Sequence, residues 1–106
     1  MSVTSTELVD AIASDRLSTR LIVDGDLFAV GVLIDDVERA RIGMLHIDRP
    51  HAKVADDGLT VDVFPSSGLP DGFAIAGDGH EAAELIAESL NDCFETTYLE
   101  LMDKRS

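Results

Sequence analysis

The stretch Arg20–Ile34 (RLIVDGDLFAVGVLI) constrains this chain more than any other. Leu21–Val23 and Leu27–Ile34 are apolar, and the segments Arg20–Val23 and Leu27–Ile34 flank Asp24-Gly25-Asp26. An Asp-Gly step between two such runs is a strong hairpin signal, because Gly accepts the positive φ of a tight turn. Strand alternation puts Leu27, Ala29, Gly31 and Leu33 on one face of the second arm and Phe28, Val30, Val32 and Ile34 on the other. Both sets are apolar, so Leu27–Ile34 is expected to be an interior strand shielded from water on each side.

The remainder is far more polar. Of 106 residues, 21 are acidic and 8 basic, a net charge of −13. That balance argues against direct binding to nucleic-acid phosphates or to an anionic membrane, since like charges repel over the whole surface. Fourteen of the acids are Asp, and Lys occurs only at 53 and 104. An Asp-rich, Lys-poor exterior suits a high-salt cytoplasm, although high-GC codon usage produces the same bias. Cys93 is the one cysteine, so no intramolecular disulfide can form. No apolar run approaches the ~20 residues that cross a bilayer, and the first residues lack the basic start and apolar stretch of a secretory signal. A soluble cytoplasmic protein of one domain, residues 1–106, is the expectation.

Taken in order, Thr4 and Glu7 have capping-box spacing and open a helix running to about Ala13, with Leu8, Ala11 and Ile12 on one face. After the hairpin, Asp35-Asp36 turns the chain into a long third strand, Val37–Asp48. One face of it holds Ala40, Ile42, Met44 and His46; the other holds Arg39, Arg41, Gly43, Leu45 and Ile47. Ala52–Ala55 is a weak edge strand. Leu59–Phe64 alternates, with Leu59, Val61 and Val63 facing in. Pro65–Gly72 (PSSGLPDG) is the main loop, suited to partner contact. Phe73–Ala76 is a brief strand, Gly77-Asp78-Gly79 a turn, and His80–Phe94 the second helix. Thr97–Met102 fits either a last strand or a continuation of that helix.

Four patterns bear on chemistry. On the second helix Glu81, Glu84, Glu88, Asp92 and Glu95 share a narrow face, a carboxylate row ~20 Å long at ~1.5 Å rise per residue. Ala82, Ile86, Leu90 and Cys93 centre the opposite face, with Leu85 and Phe94 at its flanks. Such a row can imitate nucleic-acid phosphates, yet it is also what the solvated face of an acidic protein looks like. Gly77-Asp78-Gly79-His80-Glu81-Ala82 matches G-x-G-x-x-A. Its late position leaves no room for further βαβ units, and Asp78 and Glu81 put negative charge where a pyrophosphate would lie, so it reads as an N-cap. His46, Asp48 and His51 form an H-x-D-x-x-H set able to hold a divalent metal with an open position, though at no specific spacing. Cys93 falls on the apolar helix face as an inert thiol, and Ser66 and Ser67 have no nucleophile elbow around them. No catalytic set and no cofactor motif stands out.

The order of elements predicts an α+β fold: a mainly antiparallel sheet of four to six strands with an N-terminal and a C-terminal helix packed on it. Two helices cover one face. The other, with half of Leu27–Ile34 on it, needs the last segment, a barrel-like closure or a second copy of the chain, and a homodimer through that face is the expected solution. The functional expectation is a small, acidic, non-enzymatic interaction module that binds a protein partner through the sheet edge or the Pro65–Gly72 loop. The alternatives are a nucleic-acid-mimic inhibitor using the Glu81–Glu95 row and a small divalent-metal protein using His46, Asp48 and His51.

Overall fold

Two-residue turns join the first three strands. Gly25, at φ 62°, turns β1 (Leu17–Asp24) into β2 (Leu27–Ile34), and Asp35 and Asp36, at φ 55° and 65°, turn β2 into β3 (Val37–Met44). The computed structural model describes residues 3–44, 49–64, 73–76 and 79–105. Ahead of β1 lies helix α1 (Ser5–Ala13); β4 (His51–Val54), β5 (Thr60–Phe64), β6 (Phe73–Ala76) and helix α2 (His80–Arg105) follow β3. The fold is α+β and its strand pairings are antiparallel.

The six strands do not join into the single sheet of four to six expected. They form two sheets of three, ordered β1-β2-β3 and β4-β5-β6, each centred on its middle strand. β2 is therefore interior in its hydrogen bonding, as its composition implies. Its shielding is less complete than expected. Val30–Ile34 is buried, whereas Phe28 and Ala29 are half-buried and Leu27 is 71 % exposed. Strand alternation holds through the segment, with Val30, Val32 and Ile34 in the core and Phe28 packed against it.

A bulge between Val32 and Leu33 alters the third strand, because Val32 pairs with Ala40 while Leu33 pairs with Glu38. Arg39 is the extra residue. It turns toward α1 and meets the Glu7 carboxylate at 2.5 Å, rather than sharing the face of Arg41. Sequence alternation alone cannot anticipate a bulge. Leu59 is a second correction: it precedes β5 and is 44 % exposed, while Val61 and Val63 are buried.

Helix α2 runs on through Thr97–Met102 to Arg105, which rules out a last strand there. Its buried stripe is Ala83, Ile86, Ala87, Leu90, Phe94, Thr97 and Leu101. Phe94 thus sits at the centre of the apolar face and not at its flank, and Cys93 and Leu85 lie to the sides, half-buried and exposed. The longer helix adds Thr97 and Leu101 to the stripe, and packing against β1 and β4 centres its buried face on Phe94. Phe94 has no exposure, and truncating such a side chain to Ala costs about 3–5 kcal/mol.

This helix connects the two sheets. Toward the first, Thr19 Oγ1 lies 2.6 Å from Thr97 Oγ1 and 3.1 Å from the Cys93 carbonyl, to which Thr97 Oγ1 is also close at 3.2 Å. Two hydroxyl protons serve these three contacts, so one threonine donates to the carbonyl and the other to its neighbour. Toward the second, the Asn91 amide bonds the backbone of Ala52. α1 packs beside α2 and β1. It is capped as expected, with the Glu7 amide donating to Thr4 Oγ1 at 3.2 Å. Both helices therefore lie on the same side of the first sheet. Among the described residues no helix is long and apolar enough to cross a membrane.

Candidate functional site: the open face of the first sheet

Because α1 and α2 occupy one side of β1-β2-β3, register decides what the other side shows. Pairing aligns Asp24 with Leu27, then Ile22 with Ala29 and Gly43, then Arg20 with Gly31 and Arg41, and finally Ser18 with Leu33 and Glu38. These rows form a grid of side chains three strands wide. Its centre line along β2 is Leu27, Ala29, Gly31, Leu33, exposed at Leu27, half-buried at Ala29 and buried at Gly31 and Leu33. Two of those four are among the smallest residues, so the face is grooved.

One end of the grid is apolar and hollow. A depression of about 280 Å³ is lined by Ile22, Asp24, Leu27, Phe28, Ala29, Arg41 and Gly43. Gly43 makes the floor, since a Cβ built there would meet nothing within 4 Å. Leu27 rises at the edge, with Asp24 and Arg41 as opposite charges on the rim.

Below the hollow lies an ionic cluster, and Gly31 permits it. A Cβ on Gly31 would stand 3.0 Å from Glu38 Oε1 and 3.3 Å from Ile22 Cδ1, so the bare backbone lets the Glu38 carboxylate lie flat over β2. There it accepts from Arg41 at 3.0–3.2 Å and stands 3.8 Å from Arg20 Nη2. Both arginines are more than half exposed, and pairs of this kind each contribute about 0–1 kcal/mol. Their larger effect is on local charge: Arg20, Arg41, Asp24 and Glu38 balance one another, whereas the chain carries −13.

The second sheet presents a different surface. Ala52, Val61, Val63 and Ile75 face the core, leaving His51, Lys53, Asp62 and Phe64 outside. His51 stacks against its cross-strand partner Phe64 with ring centroids 5.5 Å apart. Lys53 pairs with Asp62 across the strands, and Asp56 closes a shallow, polar depression of about 330 Å³.

His51 begins β4, but His46 and Asp48 lie outside the described residues, as do Ser66 and Ser67 of the loop 65–72 and Gly77 and Asp78 of the glycine-rich turn. Among the described residues no group of three His, Cys, Asp or Glu is placed to hold a metal ion. The described sheets contain no parallel pair, so the βαβ setting of a dinucleotide motif is missing there. Glu81, Glu84, Glu88, Asp92 and Glu95 are all exposed on α2, as the helical pattern implies. Exposed Leu85 and Leu99 interrupt that face, and His80 Nε2 meets Glu84 at 2.6 Å. Asp24, Asp26, Asp35, Asp36, Asp56 and Asp57 are exposed at turns as well, so carboxylates are spread over the surface.

Cys93 is half-buried in a groove between the helices with Ala11, Ile12, Leu17 and Ser89. Burial pushes its thiol pKa up, and the neighbouring Asp92 and Asp15 charges push it further. This is the environment of an unreactive thiol.

No protein-family model, no curated protein and no solved structure matches this chain. The residues of the open face (Ile22, Asp24, Ala29, Arg41, Gly43) were not singled out by sequence reasoning. The signal for them was the Ala29-x-Gly31 alternation within an otherwise bulky strand. Its meaning depends on knowing which side the helices cover.

Proposed function

We propose that this chain is a small acidic interaction module that docks a protein partner through the open face of the β1-β2-β3 sheet. One observation carries the reading: an apolar hollow floored by Ala29 and Gly43 lies beside the exposed Leu27. Leaving a leucine-sized side chain in water forgoes about 1.5–3 kcal/mol, and a partner that covers Leu27 and Ile22 recovers it. Arg20 and Arg41 balance Asp24 and Glu38 on this face, so an acidic partner meets no net charge repulsion from it.

The test uses the open space above Gly43. A Gly43→Leu variant fills the hollow without striking a neighbour, so its melting temperature should stay close to that of the parent. Tagged parent and variant chains are used to capture proteins from the source cell, side by side. The reading requires species held by the parent and released by Gly43→Leu. A captured set unchanged by Gly43→Leu and by Ala29→Asp would overturn it.

A further inference from the structure

We infer that the partner seated on this face is a second copy of the chain, paired about a two-fold axis that passes beside Ala29. The inference rests on the docking reading above and adds the identity of the occupant.

Self-complementarity is the argument. A two-fold interface brings residue i against residue j and residue j against residue i, so one surface must carry both a projection and its seat. Asp24 and Arg41 lie at opposite corners of the hollow, one on β1 and one on β3, with Ala29 midway between them in the register. An axis in the plane of the face, through Ala29 and perpendicular to the line joining Asp24 and Arg41, sets each Asp24 against the second copy's Arg41. With strands ~4.8 Å apart and ~3.4 Å per residue, the same operation carries Leu27 from the rim onto the second copy's β3 beside Gly43, where there is room for it. Ile22 then lies over Ala29 of the second copy, beside the Glu38 carboxylate that covers Gly31. Strands of the two copies cross at roughly 70°, within the orthogonal class of sheet packing.

Charge supports the same occupant. Two bodies of −13 repel everywhere except where their acids are locally balanced, and this face is such a place. Of the covers the exposed side could have had, the final segment is ruled out because α2 stays on the helix side through Leu101. Among the described residues β1-β2-β3 is a sheet of three strands that does not close on itself.

Sedimentation velocity over a wide concentration range, at low and high salt, supplies the test. The parent chain should form a dimer whose affinity rises with salt, as screening removes the mutual repulsion. Asp24→Arg and Arg41→Asp should each be monomeric alone, facing like charge across the axis. Mixed, they should recover the dimer, because every contact across the axis again joins an arginine to an aspartate. The introduced arginine of one variant faces the introduced aspartate of the other, and the native Arg41 faces the native Asp24. Gly43→Leu should weaken the parent dimer by about tenfold or more by filling the Leu27 seat. A parent monomeric under all conditions overturns self-pairing, while the capture experiment still decides the docking reading. A dimer indifferent to Gly43→Leu, or a mixture that stays monomeric, places the two-fold contact elsewhere and overturns it equally.

Discussion

The side-chain amide of Asn91 pairs with the backbone of Ala52 as a neighbouring strand would. Its Nδ2 donates to the Ala52 carbonyl at 2.9 Å, and the Ala52 amide donates to its Oδ1 at 2.8 Å. β4 is an edge strand, and this amide closes the exposed position of that edge next to the core. Asn91→Ala leaves two backbone groups of a buried residue unmatched, at a cost of about 2–4 kcal/mol. Asn91→Asp keeps the acceptor but sets a carboxylate against a carbonyl, so it should also destabilise. Urea unfolding of the two variants checks this, and a change within error for Asn91→Ala would refute the edge-closing role.

Asp35 and Asp36 both occupy left-handed backbone conformations in the turn between β2 and β3. Asp35 has a compensating contact, since Arg16 Nη1 donates to its Oδ2 at 2.7 Å. For Asp36, glycine removes the Cβ clash of a φ of 65° and restores the Asp-Gly pair preferred in such hairpins. Asp36→Gly should stabilise the chain by about 1 kcal/mol, read as a higher urea midpoint at constant slope.

The Asp57 carboxylate holds the turn between β4 and β5, accepting from Thr60 Oγ1 at 2.6 Å and from the Thr60 and Leu59 amides at 2.8 Å each. These bonds, that from the Thr60 hydroxyl foremost, lower its pKa below the usual 3.8. A depressed carboxylate pKa stabilises the folded state above the unfolded value and loses that contribution as pH falls through the folded value. Glu7, held down chiefly by its hydrogen bond with Arg39, adds in the same direction. The difference in melting temperature between the parent and Asp57→Asn should be present at neutral pH and shrink as pH drops below 3.8. A difference independent of pH would show that the charge is not what matters.

Cys93 should react with a neutral alkylating reagent several-fold more slowly in the folded chain than in urea. Burial is the first cause of its raised pKa, and the Asp92 and Asp15 charges follow. Added salt should therefore recover only part of the rate. Equal rates folded and unfolded would place the thiol in water.

Much of the chain was legible from local chemistry. The Thr4–Glu7 cap, the Asp24-Gly25 and Asp35-Asp36 turns, the alternation of β2 and the exposure of the acidic helix face all follow from side-chain spacing and turn preference. Each involves residues within one or two helical turns, or directly across a hairpin, so the sequence carries its own answer there. The division into two sheets, the Arg39 bulge, the full length of α2 and the Asn91–Ala52 closure depend on contacts between distant segments. Alternation named two apolar faces of Leu27–Ile34 without saying which one the helices would cover. That choice came with the docking of α2 across β1 and β4, because burying Phe94 and Leu90 on one side left Leu27, Ala29 and Gly43 on the other.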